Sequence, residues 1–121
     1  MSAQFAFLFS GRTKDSILYV VTAQAWRYKP GFVTWLSRNF HVWERFEAEA
    51  NRVYDAGRRH YSARTIGEYL RHETATTAAG DEPYKISDWW WPQLARLYTA
   101  VYIGREEFFE IRERANCAEV A

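Results

Sequence analysis

The sequence predicts a mainly helical α+β protein, in which a small helical body follows an N-terminal β-hairpin. After residue 32, apolar residues recur at intervals of three and four along most of the chain. Before it, two short apolar runs are separated by turn-forming residues. The 121 residues, with a hydrophobic share of 48%, suffice for one packed core. We expect a hairpin extension over residues 1–31, a helical domain over 32–114 and a frayed tail over 115–121.

The hairpin is predicted from apolar runs at residues 5–9 and 17–21. The segment between them, residues 10–16, begins and ends with serine and contains a glycine, which is typical of a turn. The second run also fits helical spacing, so a helix is the alternative there. Proline and glycine at positions 30 and 31 then interrupt any regular element.

Two helices are predicted in the middle of the chain. A short helical turn with Trp35 and Leu36 precedes a long helix that begins at Asn39 as N-cap and ends at Gly57. Its apolar face comprises Trp43, Phe46, Ala50, Val53 and Tyr54. A second helix, over residues 62–72, follows Ser62 as N-cap. Its buried face is predicted to comprise Ala63, Ile66, Tyr69, Leu70 and Glu73.

The last third of the chain is predicted to hold a loop at residues 75–83, a short strand at 84–86 and a third helix over 88–102. Ser87 or Asp88 would cap this helix, and Pro92 fits its first turn, where a missing N–H costs nothing. Its buried stripe comprises Leu94, Leu97, Tyr98 and Val101, and Gly104 ends it. A last short element contains Phe108, Phe109 and Ile111.

Charge and cysteine content limit the cellular compartments in which the protein is expected and the bonds that it can form. The net charge of +1 creates no strong overall field, and a single cysteine, Cys117, cannot close an intrachain disulfide. The apolar patch near the N-terminus is too short for a signal peptide or a membrane span. We therefore expect a cytoplasmic protein without a membrane partner.

Motifs of catalytic and metal sites are absent from the sequence. The three histidines lack metal-ligand spacing, and there is no phosphate-binding glycine loop or nucleophile elbow. We expect a non-enzymatic protein with no cofactor and no metal ion.

Basic residues cluster between positions 58 and 72, where Glu68 is the one acidic residue. We call Arg58, Arg59, His60, Arg64 and Arg71 the basic strip. Arginine near a helix N-terminus suits phosphate, because the guanidinium and the terminal N–H groups both bind its oxygens. The residues predicted to contact nucleic acid are Arg58, Arg59, His60, Arg64, Arg71, Lys85 and Arg96. The alternative is an ordinary solvated helix surface.

Three consecutive tryptophans, Trp89, Trp90 and Trp91, form the most unusual sequence feature. Successive helical residues are rotated by about 100°, so three large rings cannot all enter one narrow buried stripe. Burial beneath the hairpin or the 75–83 loop is one interpretation. The other is an exposed surface that stacks on a base or contacts a protein partner.

Residues 57–66, Glu68, Leu70, Arg71, the Lys-Ile pair at 85–86 and the segment 92–97 resemble a group of short phage and prophage proteins. The resemblance spans about residues 35–112 and implies a phage origin and action in the host cell. The order of elements from residue 62 onward also resembles a winged helix-turn-helix, which implies a helix placed in the major groove of DNA. The third helical segment in that comparison is residues 106–114.

Two functions follow. The first is a nucleic-acid-binding module, with DNA favoured over RNA, that contacts phosphates through the basic strip. The alternative is a phage-encoded, anti-CRISPR-like inhibitor that binds a host defence protein through Trp89, Trp90 and Trp91.

Overall fold

The computed structural model describes residues 13–77 and 90–111, and within these ranges the chain is mainly helical, as predicted. The helices are α1 (Lys14–Ala23), α2 (Phe32–Arg38), α3 (Phe40–Asp55), α4 (Ala63–Thr77) and α5 (Trp90–Val101), with a 3-10 turn at Ala25–Arg27. The β pairing in these ranges is one isolated parallel bridge, between Tyr61 and Phe109. No helix in the described ranges is both long and apolar enough to cross a membrane.

Helix α1 replaces the predicted second strand of the N-terminal hairpin. Thr13 caps it, since its Oγ1 accepts a hydrogen bond from the Ser16 N–H at 3.1 Å. Ile17 and Val21, four positions apart, are both buried, and the helix packs against α2 and α5. The strand prediction for residues 17–21 is therefore wrong, because the helical alternative buries this apolar face. The first predicted strand, residues 5–9, lies outside the described residues.

Helices α2 and α3 meet at Asn39, with no loop between them. The Asn39 N–H donates to carbonyls of α2, and its own carbonyl accepts from the Val42 N–H. Its side chain also donates to the Trp35 carbonyl, at 2.9 Å, and does not cap α3. The predicted start of α3 is therefore confirmed, but the side-chain capping role is not. Gly57, with φ of 109°, follows the end of α3 as predicted.

Helix α4 begins as predicted, with the Ser62 Oγ accepting from the Thr65 N–H at 3.2 Å. Ile66 and Leu70 are buried, whereas Tyr69, predicted to be buried, is 43% exposed. The helix continues through Thr77, so the loop prediction is wrong for residues 75–77. The rest of that loop, the strand at 84–86 and the cap at Ser87 or Asp88 lie outside the described residues.

Helix α5 is the centre of the fold, and its residues are buried on almost every side. The predicted stripe of Leu94, Leu97, Tyr98 and Val101 is confirmed, and Pro92 lies in the first turn as predicted, with its ring exposed. Gly67 allows α4 to approach closely, because a Cβ at this position would overlap the indole of Trp91.

The chain after α5 forms turns that fold back onto the start of α4. Gly104, with φ of 96°, follows the helix end as predicted. Phe108 and Phe109 are buried, and the Phe108 carbonyl accepts from the Tyr61 N–H at 2.8 Å. The described part of the predicted helical segment at 106–114, residues 106–111, is not helical, because this backbone pairs with the α3–α4 connection.

Candidate nucleic-acid interface

The basic strip lies on the α3–α4 connection and along α4. Arg58, Arg59, His60 and Arg64 are exposed, and Arg71 is half-buried. Ser62 caps α4 beside them, so the N-terminus of a 15-residue helix lies among these cations. The structure thus brings together five of the seven predicted phosphate contacts.

The other two predicted contacts do not join the strip. Arg96 is on α5 and only 6% exposed, so its guanidinium is not available on the surface, and the prediction for it is corrected. Lys85 lies outside the described residues.

Two arginines cover the ring of Tyr54, a residue in the last turn of α3. The guanidinium carbon of Arg59 lies 4.1 Å from the ring centroid and that of Arg105 lies 3.8 Å from it. Both distances are those of cation–π contacts. The Tyr54 ring therefore supports two arginines, one from the basic strip and one from the segment after α5.

Arg59 is held further by its own backbone surroundings. Its Nη1 donates to the carbonyls of Tyr54 and Arg58, at 2.9 and 3.0 Å. These bonds engage one side of the guanidinium. The exposed side retains N–H groups for an anion.

Arg58 lies over a second tyrosine. Its guanidinium carbon is 5.7 Å from the centroid of Tyr61, whose ring also stacks against the buried Phe108 at 6.4 Å. We call Tyr54 and Tyr61 the tyrosine pair. Each ring supports an arginine of the basic strip, and each also contacts the segment after α5.

A polar cluster beneath the surface positions Arg105. Its Nη1 donates to the Tyr98 hydroxyl at 2.6 Å and to the Asn51 Oδ1 at 2.9 Å. The Tyr98 hydroxyl donates to the same Asn51 oxygen at 2.7 Å, and Tyr102 donates to Glu47 at 2.6 Å. Burial raises the pKa of the Tyr98 phenol, and the hydrogen bond from Arg105 opposes that rise. The cluster connects α3, α5 and the following turn.

His60 and Arg64, the other two exposed residues of the basic strip, have contacts of their own. The His60 Nδ1 lies 3.0 Å from the Glu107 carbonyl oxygen and donates to it when Nδ1 is protonated. Arg64 pairs with Glu68 at 3.5 Å, and both side chains are exposed. Such a pair is weak in water, so Arg64 can exchange Glu68 for a phosphate at little cost.

A groove of about 1130 Å³ runs beside the strip, between α5 and the paired segments around Tyr61 and Phe109. Its charged lining comprises Arg27, His60, Arg64, Glu106, Glu107 and Glu110. The Glu106 carboxylate accepts from the Gly104 N–H at 2.9 Å, and backbone hydrogen bonds lower its pKa. Because three glutamates of the segment after α5 line this groove, phosphate is disfavoured inside it.

The two described tryptophans of the run, Trp90 and Trp91, contribute to packing. Trp91 is 2% exposed, so it offers no surface to a partner. Trp90 is half-buried and stacks on Trp35 at 5.2 Å and on Phe32 at 5.8 Å. Trp89 lies outside the described residues.

The two most exposed aromatic residues of the described ranges are ones that the sequence patterns do not single out. Trp26, in the 3-10 turn, is 71% exposed, and Tyr19 on α1 is 64% exposed. Their exposure depends on α1, which the strand prediction missed. Tyr54 was predicted to be a core residue, and its distance of five positions from Arg59 is the one available signal of their contact. Nothing in the local sequence indicates Arg105.

Comparison with protein-family models, with curated proteins and with solved structures finds no match to this chain. The charges and contacts of the basic strip are therefore the basis for assigning a function.

Proposed function

We propose that this protein is a non-enzymatic nucleic-acid-binding module that contacts phosphates through the basic strip. The observation that carries the proposal is the support of Arg58 and Arg59 on the tyrosine pair, next to the capped N-terminus of α4. Cations and helix-terminal N–H groups in one place are the usual chemistry of phosphate recognition.

Preorganisation of the arginines strengthens this proposal. An arginine on a flexible surface loses side-chain entropy when it binds. Arg59 is already fixed by a ring and two carbonyls, so less entropy remains to be lost. The contact that results is charge-assisted and directional.

We also propose that the protein has a phage origin and that its helices have a winged helix-turn-helix arrangement. The resemblance to short phage proteins supports a phage origin and action in the cytoplasm of the host cell. In a winged helix-turn-helix arrangement, α4 would be the helix presented to DNA, because α5 is buried within the core.

Fluorescence anisotropy with labelled duplex DNA, at about 50 and 200 mM salt, tests the proposal, since phosphate-driven affinity falls steeply over this range. We expect micromolar or tighter binding at the lower salt concentration and weaker binding at the higher one. Absence of binding at about 50 mM salt would contradict the proposal.

A triple variant tests whether the basic strip is the surface that binds nucleic acid. Arg58→Ala, Arg59→Ala and Arg64→Ala together should lower affinity by at least about tenfold and reduce the salt slope by about 0.9 for each lost phosphate contact. The matched control changes Lys14, Arg38 and Arg52 to Ala, which removes the same charge from exposed positions outside the strip. Equal losses in the two variants would mean that net charge, and not the strip, governs binding.

A protein partner is the second candidate, and the exposure of Trp26 and Tyr19 is the observation that favours it. Exposed tryptophan and tyrosine are common anchors of protein interfaces. On this proposal the protein is a phage-encoded, anti-CRISPR-like inhibitor of a host defence protein. Trp26→Ala should then abolish co-purification of the host target, whereas the triple arginine variant should retain it.

A further inference from the structure

We infer that the basic strip is built for the phosphate backbone of a duplex and not for a single strand. This inference depends on the proposed function and adds to it the form of nucleic acid that binds. The observation behind it is that the tyrosine pair, the two rings that support arginines of the strip, already has guanidinium groups against its rings.

Proteins that bind single strands combine a basic track with free aromatic faces, on which the unpaired bases stack. Tyr54 has two guanidinium groups against its ring, at 4.1 and 3.8 Å from its centroid. Tyr61 has Arg58 over its ring and packs against Phe108. A base that stacked on either ring would compete with an arginine for that ring, and displacing the arginine would remove the cation that attracts the phosphate.

A duplex does not require that displacement. Its bases are already stacked, and its outer surface presents phosphates at regular intervals. Arg58 and Arg59 are exposed and have one side supported by a tyrosine, so their remaining N–H groups can contact adjacent phosphates. The contacts carry no base information, so binding should be independent of sequence.

The acidic rim of the groove agrees with this geometry. Glu106, Glu107 and Glu110 line the groove together with His60, and their charges oppose a strand that would enter it. A rigid duplex can rest on the strip from outside, whereas a flexible single strand gains its extra contacts by entering such grooves.

Competition anisotropy on the complete chain tests the inference, with one 20-nucleotide sequence as duplex DNA, duplex RNA and single-stranded DNA, and a second, unrelated sequence as duplex DNA. We expect both duplex DNAs to bind equally and more tightly than the single strand. Comparing duplex RNA with duplex DNA of the same sequence shows whether the helical form of the duplex affects affinity. Tighter binding of the single strand would overturn the inference while leaving the proposed function intact. No binding by any form would overturn both.

Ring substitutions separate arginine support from base stacking. Tyr54→Leu should weaken duplex binding by roughly two- to fivefold, the range expected when an exposed cation–π contact is lost. The ratio of duplex to single-strand affinity should not change. Tyr69→Leu is the matched control, because Tyr69 is an exposed tyrosine of α4 whose hydroxyl contacts Glu73.

Trp26→Ala examines the exposed aromatic residue on which a base could stack. It should leave all affinities within about twofold, since one lost base-stacking contact would cost more than this. A selective loss of single-strand binding in Tyr54→Leu or Trp26→Ala would overturn the inference.

Discussion

At the scale of single residues, Tyr98 shows how the interior supports the surface. Its hydroxyl lies between Arg105 and Asn51, and Arg105 in turn covers one face of Tyr54. Because Tyr54 in turn contacts Arg59, the buried phenol is three contacts away from the basic strip. A change at Tyr98 should affect both stability and the position of Arg105.

Tyr98→Phe should lower the free energy of unfolding by about 1–3 kcal/mol near neutral pH, because Arg105 and Asn51 lose a hydrogen-bond partner. The pH dependence should also change. Since burial raises the Tyr98 pKa in the folded state, its contribution to stability is complete below pH 10.0, the ordinary value, and is lost as the pH rises through the folded-state value.

Urea unfolding of both proteins at a series of pH values checks this prediction. The difference in the free energy of unfolding between wild type and Tyr98→Phe should shrink above pH 10.0. A constant difference across the series would show that burial does not perturb this phenol.

At the scale of elements, the contact between α4 and α5 fixes where the strip lies. Gly67 faces Trp91, and the space for a side chain at position 67 is occupied by the indole. Alanine is the better helix former by about 1 kcal/mol, so an exposed glycine-to-alanine change in a helix would be stabilising. Here the packing effect should dominate, because Trp91 is buried and cannot move aside freely.

Gly67→Ala should therefore destabilise the protein by about 1–3 kcal/mol, the usual cost of overpacking. Thermal or urea unfolding measures it. Combining it with Trp91→Leu provides the control, since the penalty of Gly67→Ala should largely disappear once the ring is gone. A stabilised Gly67→Ala protein would mean that the two helices are farther apart than the structure has them.

At the scale of the whole molecule, the N-terminal helix belongs to the same packed core as the rest. Ile17 and Val21 are buried with residues of every other helix, and Gln93 of α5 accepts from the Lys29 N–H at 2.8 Å. The segment expected to form a hairpin is, over its described residues, part of the body.

Ile17→Ala should cost about 2–5 kcal/mol, as expected for a buried large-to-small change. Tyr19→Ala on the same helix should change stability by no more than about 0.5 kcal/mol, because Tyr19 is exposed. Equilibrium unfolding of the two variants tests this pair. Similar values for both would indicate that α1 is not integrated into the core.

The helices with long apolar periodicity could be predicted from the sequence, and their ends could be predicted where glycine or serine marks them. Gly57, Ser62 and Gly104 all lie where the structure ends or begins a helix. The run at 17–21 was ambiguous because five apolar residues fit either period, and packing against α2 and α5 decides between them. Exposure of Trp26 is a consequence of that choice.

The basic residues of the candidate site could be predicted from the sequence, but the contacts that hold them in place could not. The cluster of basic residues is local in sequence, so composition reveals it. The contacts that hold the tyrosine pair are not local, because Arg105 and Phe108 come from the segment after α5. Burial of Arg96 and Trp91 likewise depends on the central position of α5 in the fold. That position cannot be predicted from the local sequence around either residue.

The link between His60 and Glu107 joins residues 47 positions apart and has a consequence for the timing of synthesis. On the ribosome, residues 54–64 emerge long before residues 105–109. Until the later segment has been made, Tyr54 lacks Arg105 and Tyr61 lacks Phe108, so the rings that support Arg58 and Arg59 are themselves unsupported. The nascent chain therefore remains without its organised surface through most of translation, and a synthetic peptide of residues 54–64 would lack it permanently.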